Sequence, residues 1–343
     1  MSRVLVTGAA GFIGYHLAER LVADGHRVVG IDDLNPSYDP ALKEARLARL
    51  ARLDRIHLVR GDLTDRDTIS SLLRRPFERV FHLAAHAGVR RSIEDPRSYV
   101  SANLAGTTEL LRALARTGVE HLIYASSSSV YGLGGGAASH EKLPTAHPTS
   151  PYAATKIAAE AMIHAFSHLH ALPATGLRLF TVYGPWGRPD MALFRFTEAI
   201  VAGRPLPVFN HGRMSRDFTY IDDAVEAIVR IAERPPSPGP DRVLDAGSST
   251  APHRVINVGS GRPVPLSVFI DAIEAALGIP AERELLPMQP GDVLSTCADP
   301  SRLEALTGFV PRTPVVEGVE RFVRWYLEHH PPPGSEPALV PGG

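Results

Sequence analysis

The run Val4-Leu5-Val6-Thr7-Gly8-Ala9-Ala10-Gly11-Phe12-Ile13-Gly14 decides the fold. Val4–Thr7 reads as a short buried strand, Gly8, Gly11 and Gly14 as a turn, and the residues through about Ala23 as an amphipathic helix. Strand, glycine turn and helix start together make a site for a diphosphate. Glycines let the backbone approach the phosphates, and the free N–H groups of the helix end, around Phe12 and Ile13, point at the anion. The spacing Gly-x-x-Gly-x-x-Gly is a variant of the commoner Gly-x-Gly-x-x-Gly, and a tight structural turn explains many such runs. Its surroundings strengthen it. A second strand, Arg27–Ile31, ends at Asp32, about 20 residues beyond the glycines, where an acidic side chain would bond the adenosine ribose hydroxyls. A carboxylate there repels a 2′-phosphate, so NAD is expected rather than NADP. Asp33 shares that role or caps the following turn.

The chain beyond repeats the alternation. Residues from about Ala41 to Asp54 read as an arginine-rich helix with a solvated face. His57–Val59 is a third strand, with Asp62 and Leu63 placed to flank adenine. Arg79–Leu83 is a fourth, running into small residues, so that Leu83, Ala84 and Ala85 can lie against a cofactor. Arg90 just beyond is either an anion ligand or a surface arginine. Tyr99–Arg116 is helical, and Asn103 in it is a structural hydrogen-bonder or a cofactor contact. His121–Tyr124 is a fifth strand, followed by Ser126-Ser127-Ser128-Ser129. Serine is a poor strand former, so these hydroxyls are wanted at the carboxyl end of the strand, where open α/β sheets hold ligands. Gly134–Gly136 reads as a mobile loop and Thr175–Phe180 as another strand.

Alternating strands and helices predict an α/β fold: a Rossmann-type doubly wound parallel sheet with a smaller C-terminal substrate-binding lobe. The expected division is 1–180 for the cofactor domain, with 219–259 returning to it, and 181–218 with 260–328 for the lobe. Pro235–Pro252 reads as a surface loop and 329–343 as a disordered tail. With 343 residues, net charge −1 and a pI near 7.0, no basic footprint for nucleic acid is present. A lone cysteine, Cys297, excludes an intramolecular disulfide framework. No secretory signal and no apolar run long enough for a membrane span can be read. A cytoplasmic protein without membrane, nucleic-acid or metal partners is expected.

Thr149–Lys156 reads TSPYAATK and carries one of only three lysines in the chain. On a helix, Tyr152 and Lys156 at i and i+4 share a face. A neighbouring ammonium favours phenolate, making Tyr152 usable as a base near neutrality. The alternative is a solvated surface pair.

The combination of TGAAGFIG, the serine-rich strand end, Tyr-x-x-x-Lys and RLFTVYGPWGRPDMA resembles the extended short-chain dehydrogenase/reductase family. Within it, HLAAHAGVRRSI, YASSSSVYG, SPYAATK, TGLRLFTVYGPWGRPDMALF and SRDFTYIDD look like the nucleotide-sugar epimerases that act on UDP-glucuronate at C4. The resemblance covers nearly the whole chain. It implies Tyr152 as catalytic base, Lys156 as its partner on the nicotinamide ribose, and Ser127 beside the sugar 4-hydroxyl. It implies NAD contacts at Gly8, Gly11, Gly14, Asp32 and Asp62, and sugar, pyrophosphate or uridine contacts at Thr181, Arg188, Arg216 and Asp292. Arg90, Ser128, Ser129, Met191, Val208 and Phe209 are grouped with the substrate-binding residues, and a UDP-sugar and a second copy of the chain are the expected partners. Related dehydratases and decarboxylases place an acidic residue just after the strand-end Ser or Thr, where this chain has Ser128 and Ser129. That favours an epimerase of the acid over a UDP-glucose/UDP-galactose 4-epimerase, a UDP-glucuronate decarboxylase or a non-catalytic NAD sensor. Tyr15 departs from the family, which more often has a small residue there.

Overall fold

The computed structural model describes residues 1–133, 138–239, 244–289 and 291–330. The expectations for Gly134–Gly136 and for the tail beyond His330 lie outside the described residues. In chain order the strands are β1 (Arg3–Thr7), β2 (Arg27–Asp32), β3 (Ile56–Arg60), β4 (Arg79–His82), β5 (His121–Ser127) and β6 (Ala174–Leu179). There follow β7 (Thr181–Tyr183), β8 (Leu206–Val208), β9 (Ser215–Tyr220), β10 (His253–Val258), β11 (Pro263–Pro265) and β12 (Arg283–Leu285). Seven of them form one parallel sheet, ordered β10-β6-β5-β4-β1-β2-β3, with helices on both faces. Strands buried on both faces must be apolar throughout, and Val4, Leu5 and Val6 in β1 and Leu122 and Ile123 in β5 are fully buried. The parallel register sets Thr7 beside Ile31 and His82, and Ser127 beside Leu179, so the carboxyl ends of the strands form one edge. The order reverses between β1 and β4, the switch point where such sheets open a crevice.

Beyond β6 the chain builds two small sheets, β11-β9-β7 and β12-β8. Their core includes Phe218 stacked on Phe269 at 4.1 Å between ring centroids. Asp217, fully buried in β9, accepts from the N–H groups of Ser260, Gly261 and Ala298 at 2.8–2.9 Å. One carboxylate thereby joins three separate chain segments.

Two elements differ from their sequence reading. The expected continuous helix over 99–116 is divided into Pro96–Val100, a π turn over Ser101–Gly106, and Thr107–Thr117. The wide turn accompanies Asn103, whose amide accepts from His86 N–H at 2.8 Å and donates to His86 O and Thr155 Oγ1, both at 3.0 Å. The arginine-rich helix, observed as Pro40–Leu50, is not simply a solvated face: Arg46 is 0 % and Lys43 5 % exposed. Both reach inward to backbone carbonyls, Arg46 to Ala10, Trp186 and Gly187 and Lys43 to Asn35.

Helix Pro151–His170 starts at Ser150, whose hydroxyl accepts from Ala153 N–H at 3.1 Å. It is fixed to the sheet by a buried ion pair. Arg178 on β6 grips Glu160 with Nε at 3.0 Å and Nη2 at 2.8 Å, and Ser126 on β5 donates to the same carboxylate at 2.5 Å. Removing one partner of such a pair leaves an unpaired buried charge and costs roughly 3–5 kcal/mol. Arg178→Met should therefore lower the unfolding free energy by about that amount in urea titrations, and Arg178→Met/Glu160→Leu should restore much of it. Equal losses in the single and double variants would contradict the pairing.

Candidate functional site

The glycine turn is built for close approach. Gly8 has φ +74° and an added Cβ would lie 2.8 Å from Ala84 N, while a Cβ on Gly14 would lie 2.0 Å from Gly8 O. Helix Phe12–Ala23 begins at Gly11 with no side-chain cap and no acidic residue in its first turn. That end is left electropositive and unobstructed. At the end of β2, Asp32 accepts from Ala10 N–H at 3.0 Å and Leu34 N–H at 2.9 Å, with Lys43 Nζ 3.9 Å away. Burial pushes its carboxyl above the ordinary value, and Lys43 and the two N–H groups oppose that. On β4, His82 bridges the hydroxyls of Thr7 and Thr107 at 2.9 Å each, and burial lowers it to about 3. It stays neutral and holds β1, β4 and the helix beyond in line.

A cleft of about 450 Å³ runs along the carboxyl edge of the sheet. Its wall contains Gly8, Gly11, Phe12, Ile13 and Gly14, then Asp32, Asp33, Asp62 and Leu63, then Leu83, Ala84 and Ala85. It continues through Ser127, Ser128 and Ser129 to Tyr152, Lys156, Thr181, Arg188 and Met191. These residues, far apart in sequence, share one cavity. Asn103 lies behind this wall, occupied by His86 and Thr155. Arg90, Phe209, Arg216 and Asp292 form a second group beside it. Arg90 pairs with Asp292 at 3.3 Å and lies 5.0 Å from the Phe209 ring centre, and Asp292 sits in the field of half-buried Arg216. Val208 is buried in β8, immediately before Phe209. Wall residues that sequence reading passed over include Lys43, Asn35, Tyr38 and His86. Lys43 carried a signal, since lysine is so rare in this chain.

At the reacting end, Ser126 and Ser127 belong to β5 itself, and Ser127 caps the short turn of Ser128–Tyr131 by accepting from Ser129 N–H at 3.2 Å. The Ser127 hydroxyl donates to Ser129 Oγ at 3.2 Å, and its nearness lowers the Tyr152 pKa. Lys156 Nζ donates to Ala125 O at 2.8 Å and lies 6.0 Å from the Tyr152 ring centre. This corrects the expected electrostatics. Burial raises Tyr152 above 10.0, opposed by Ser127 and Arg188 rather than by Lys156. The lysine is turned onto a strand carbonyl, and burial depresses it to about 8 against the field of Glu160. Arg188 donates to Ala87 O at 3.0 Å and to Asp190 at 2.6 Å, within the field of Tyr152. Among the described residues no cluster of histidine, cysteine or carboxylate side chains could hold a metal ion. No helix there is long and apolar enough to cross a membrane.

Residues 4–261 match the family described as "NAD dependent epimerase/dehydratase family". The chain belongs to that family. Members similar to it include a probable UDP-glucuronate 4-epimerase of Rhizobium meliloti (strain 1021), 49% identical over 96% of this chain and 98% of that one. UDP-glucuronate 4-epimerase 4 of Arabidopsis thaliana is 44% identical over 95% of this chain and 76% of its own. Among solved family members, UDP-glucuronic acid 4-epimerase from Bacillus cereus, in complex with UDP-glucuronic acid and NAD, superposes with a TM-score of 0.86. It is 34% identical and covers 96% of this chain and 100% of its own. The epimerase/dehydratase fold of this chain thus extends over nearly its whole length.

The depressed Lys156 makes a pH-dependent prediction. An ordinary lysine titrates at 10.5 and this one at about 8, so between those values the unfolded chain binds more protons and stability rises with pH. Below about pH 8 the cost of burying the charge is fully present. The unfolding free energy of wild type relative to Lys156→Met should therefore improve as pH rises from 8 to 10 in urea titrations. A constant difference would contradict the burial of a charged lysine.

Proposed function

We propose that this chain interconverts UDP-glucuronate and UDP-galacturonate by inverting C4, using tightly bound NAD. The observation that carries the substrate is the reacting end of the cleft, where Ser127, Ser128, Ser129 and Thr181 line the wall beside Tyr152 and Arg188. Neutral donors and one guanidinium can hold a sugar carboxylate, whereas a carboxylate at Ser128 or Ser129 would repel it. The named activities of the similar relatives point to the same reaction.

The residues fit NAD. A Cβ at Gly8 or Gly14 would strike the backbone of Ala84 or Gly8, so only glycines close this turn tightly, and Gly8, Gly11 and Gly14 present bare backbone to the cleft. Gly11, Phe12 and Ile13 would face the pyrophosphate, Asp32 and Asp33 the adenosine ribose, Asp62 and Leu63 the adenine, and Leu83, Ala84 and Ala85 the remaining length. When bound, NAD supplies the acceptor and donor of hydride at C4. Tyr152, as phenolate, takes the proton of the 4-hydroxyl and later returns it. Ser127 hydrogen-bonds that oxygen and Tyr152 together. Lys156 holds the nicotinamide ribose and keeps positive charge near Tyr152. Arg216 and Arg90 would grip the diphosphate while the sugar turns over in the site, with Arg188 at the sugar, Asp292 and Phe209 at the nucleoside, and Met191 and Val208 shaping its walls.

Residues 1–180 with 219–259 would carry NAD, consistent with β10 joining the large sheet. Residues 181–218 with 260–328 would close on the UDP-sugar. A homodimer through the helices of 96–117 and 151–170 accounts for the exposure of Val100 and Leu169, and a cytoplasmic location fits a nucleotide-sugar substrate.

Proton NMR of UDP-glucuronate with the protein, without added reductant, should show UDP-galacturonate and no release of CO₂. Tyr152→Phe should lower the rate about 10²–10⁴-fold. A UDP-pentose product, or turnover of UDP-glucose but not of the acid, would overturn the substrate.

A further inference from the structure

We propose that Arg46 is a positioning residue that sets the substrate-side arginine, Arg188, by fastening its loop to the phosphate turn; this rests on the function proposed above. The guanidinium is fully buried. Its Nη1 donates to Ala10 O at 2.8 Å and to the Tyr38 hydroxyl at 2.7 Å, and its Nη2 to Trp186 O at 2.6 Å and Gly187 O at 3.2 Å. Ala10 lies inside the glycine turn, and Trp186 and Gly187 immediately precede Arg188. One side chain therefore spans the two halves of the cleft.

The loop it holds needs holding. Trp186 has φ +58°, a conformation unfavourable for a residue with a bulky side chain unless its surroundings fix it. Its ring is packed from several directions. Tyr15 lies at 5.8 Å, Trp325 at 5.2 Å and His329 at 4.9 Å between ring centroids. The Arg49 guanidinium lies 5.2 Å from its ring centre, and Arg49 Nε donates to the Tyr15 hydroxyl at 2.9 Å. This gives the departure at Tyr15 a place in the fold: its ring and hydroxyl brace the same tryptophan. Packing holds the ring, but among the described residues only the Arg46 side chain engages the carbonyls of Trp186 and Gly187. Those peptides set the direction in which Arg188 leaves the loop. On its other side Arg188 is guided by Ala87 O and Asp190. A planar fork suits this bridging, because a lysine ammonium radiates from one point and cannot span both pairs of acceptors.

A double-mutant cycle tests this in NAD-loaded protein. Arg46→Lys should keep its NAD, measured after denaturation, and raise the KM for UDP-glucuronate about tenfold with kcat changed less than threefold. In an Arg188→Ala background the same substitution should change KM less than twofold. Tyr38→Phe removes one of the four acceptors and serves if Arg46→Lys does not fold; it should raise KM about threefold, again only with Arg188 present. The only tryptophans are Trp186 and Trp325, so intrinsic emission reads the loop whether or not the uronate is a substrate, and should shift in Arg46→Lys. Equal KM factors in both backgrounds, or unchanged kinetics and emission, would overturn the proposal. Absence of wild-type turnover with a shifted emission would instead overturn the substrate and leave the Arg46 fastening standing.

Discussion

The site depends on the buried contact of Ser126, Glu160 and Arg178. These three residues come from β5, from the helix that carries Tyr152 and Lys156, and from β6. Their charge-assisted bonds, all 3.0 Å or shorter, fix how far that helix slides along the strand ends. Once it is fixed, Lys156 reaches Ala125 O and Tyr152 meets Ser127. Burying a carboxylate and a guanidinium contributes little net stability, because desolvation offsets most of the attraction. What it gives is register. An apolar replacement could pack as well yet leave the helix free to shift by a fraction of a turn, enough to part the tyrosine from the hydroxyl row.

Electrostatics in this cleft are set by dryness more than by pairs. Burial holds Tyr152 above its ordinary value and Lys156 below its own. In the unliganded cleft, then, the tyrosine stays protonated at neutral pH and is a poor base. Ser127 and Arg188 pull it the other way, and a cationic nicotinamide would add to them. On the proposed function, Tyr152 would become an effective base only when the site is filled. The glycine turn follows the same logic of space: at Gly8 and Gly14 the neighbouring backbone of Ala84 and Gly8 leaves no room for a side chain.

Much of this could be read in the sequence, and for definite reasons. The large sheet was legible because its strands are short apolar runs bounded by glycines, serines and acids. Many cleft-lining residues, among them Gly8, Asp32, Leu83 and Ser127, fall at or just beyond strand ends, where such sheets place ligands, and Tyr152 and Lys156 share one helix face by their spacing. Arg46 and Lys43 were misread because an arginine-rich amphipathic helix looks solvated until its distant carbonyl partners are known. For Arg46 those include Trp186 and Gly187, 140 and 141 residues away. The π turn at Ser101–Gly106 was not legible either, since Asn103 gains its partners only when His86 and Thr155 are brought beside it. The sense of the Tyr152 shift depended on where Lys156 points. Helical spacing places the two on one face but does not aim the ammonium.

The central claim is that hydride leaves C4 and returns to it within one site. The most direct measurement is turnover of UDP-glucuronate deuterated at C4, followed by NMR and mass spectrometry in ordinary water. The account predicts UDP-galacturonate that keeps its deuterium at C4, with none appearing in solvent. Product with protium at C4, or deuterium released to water, would contradict it.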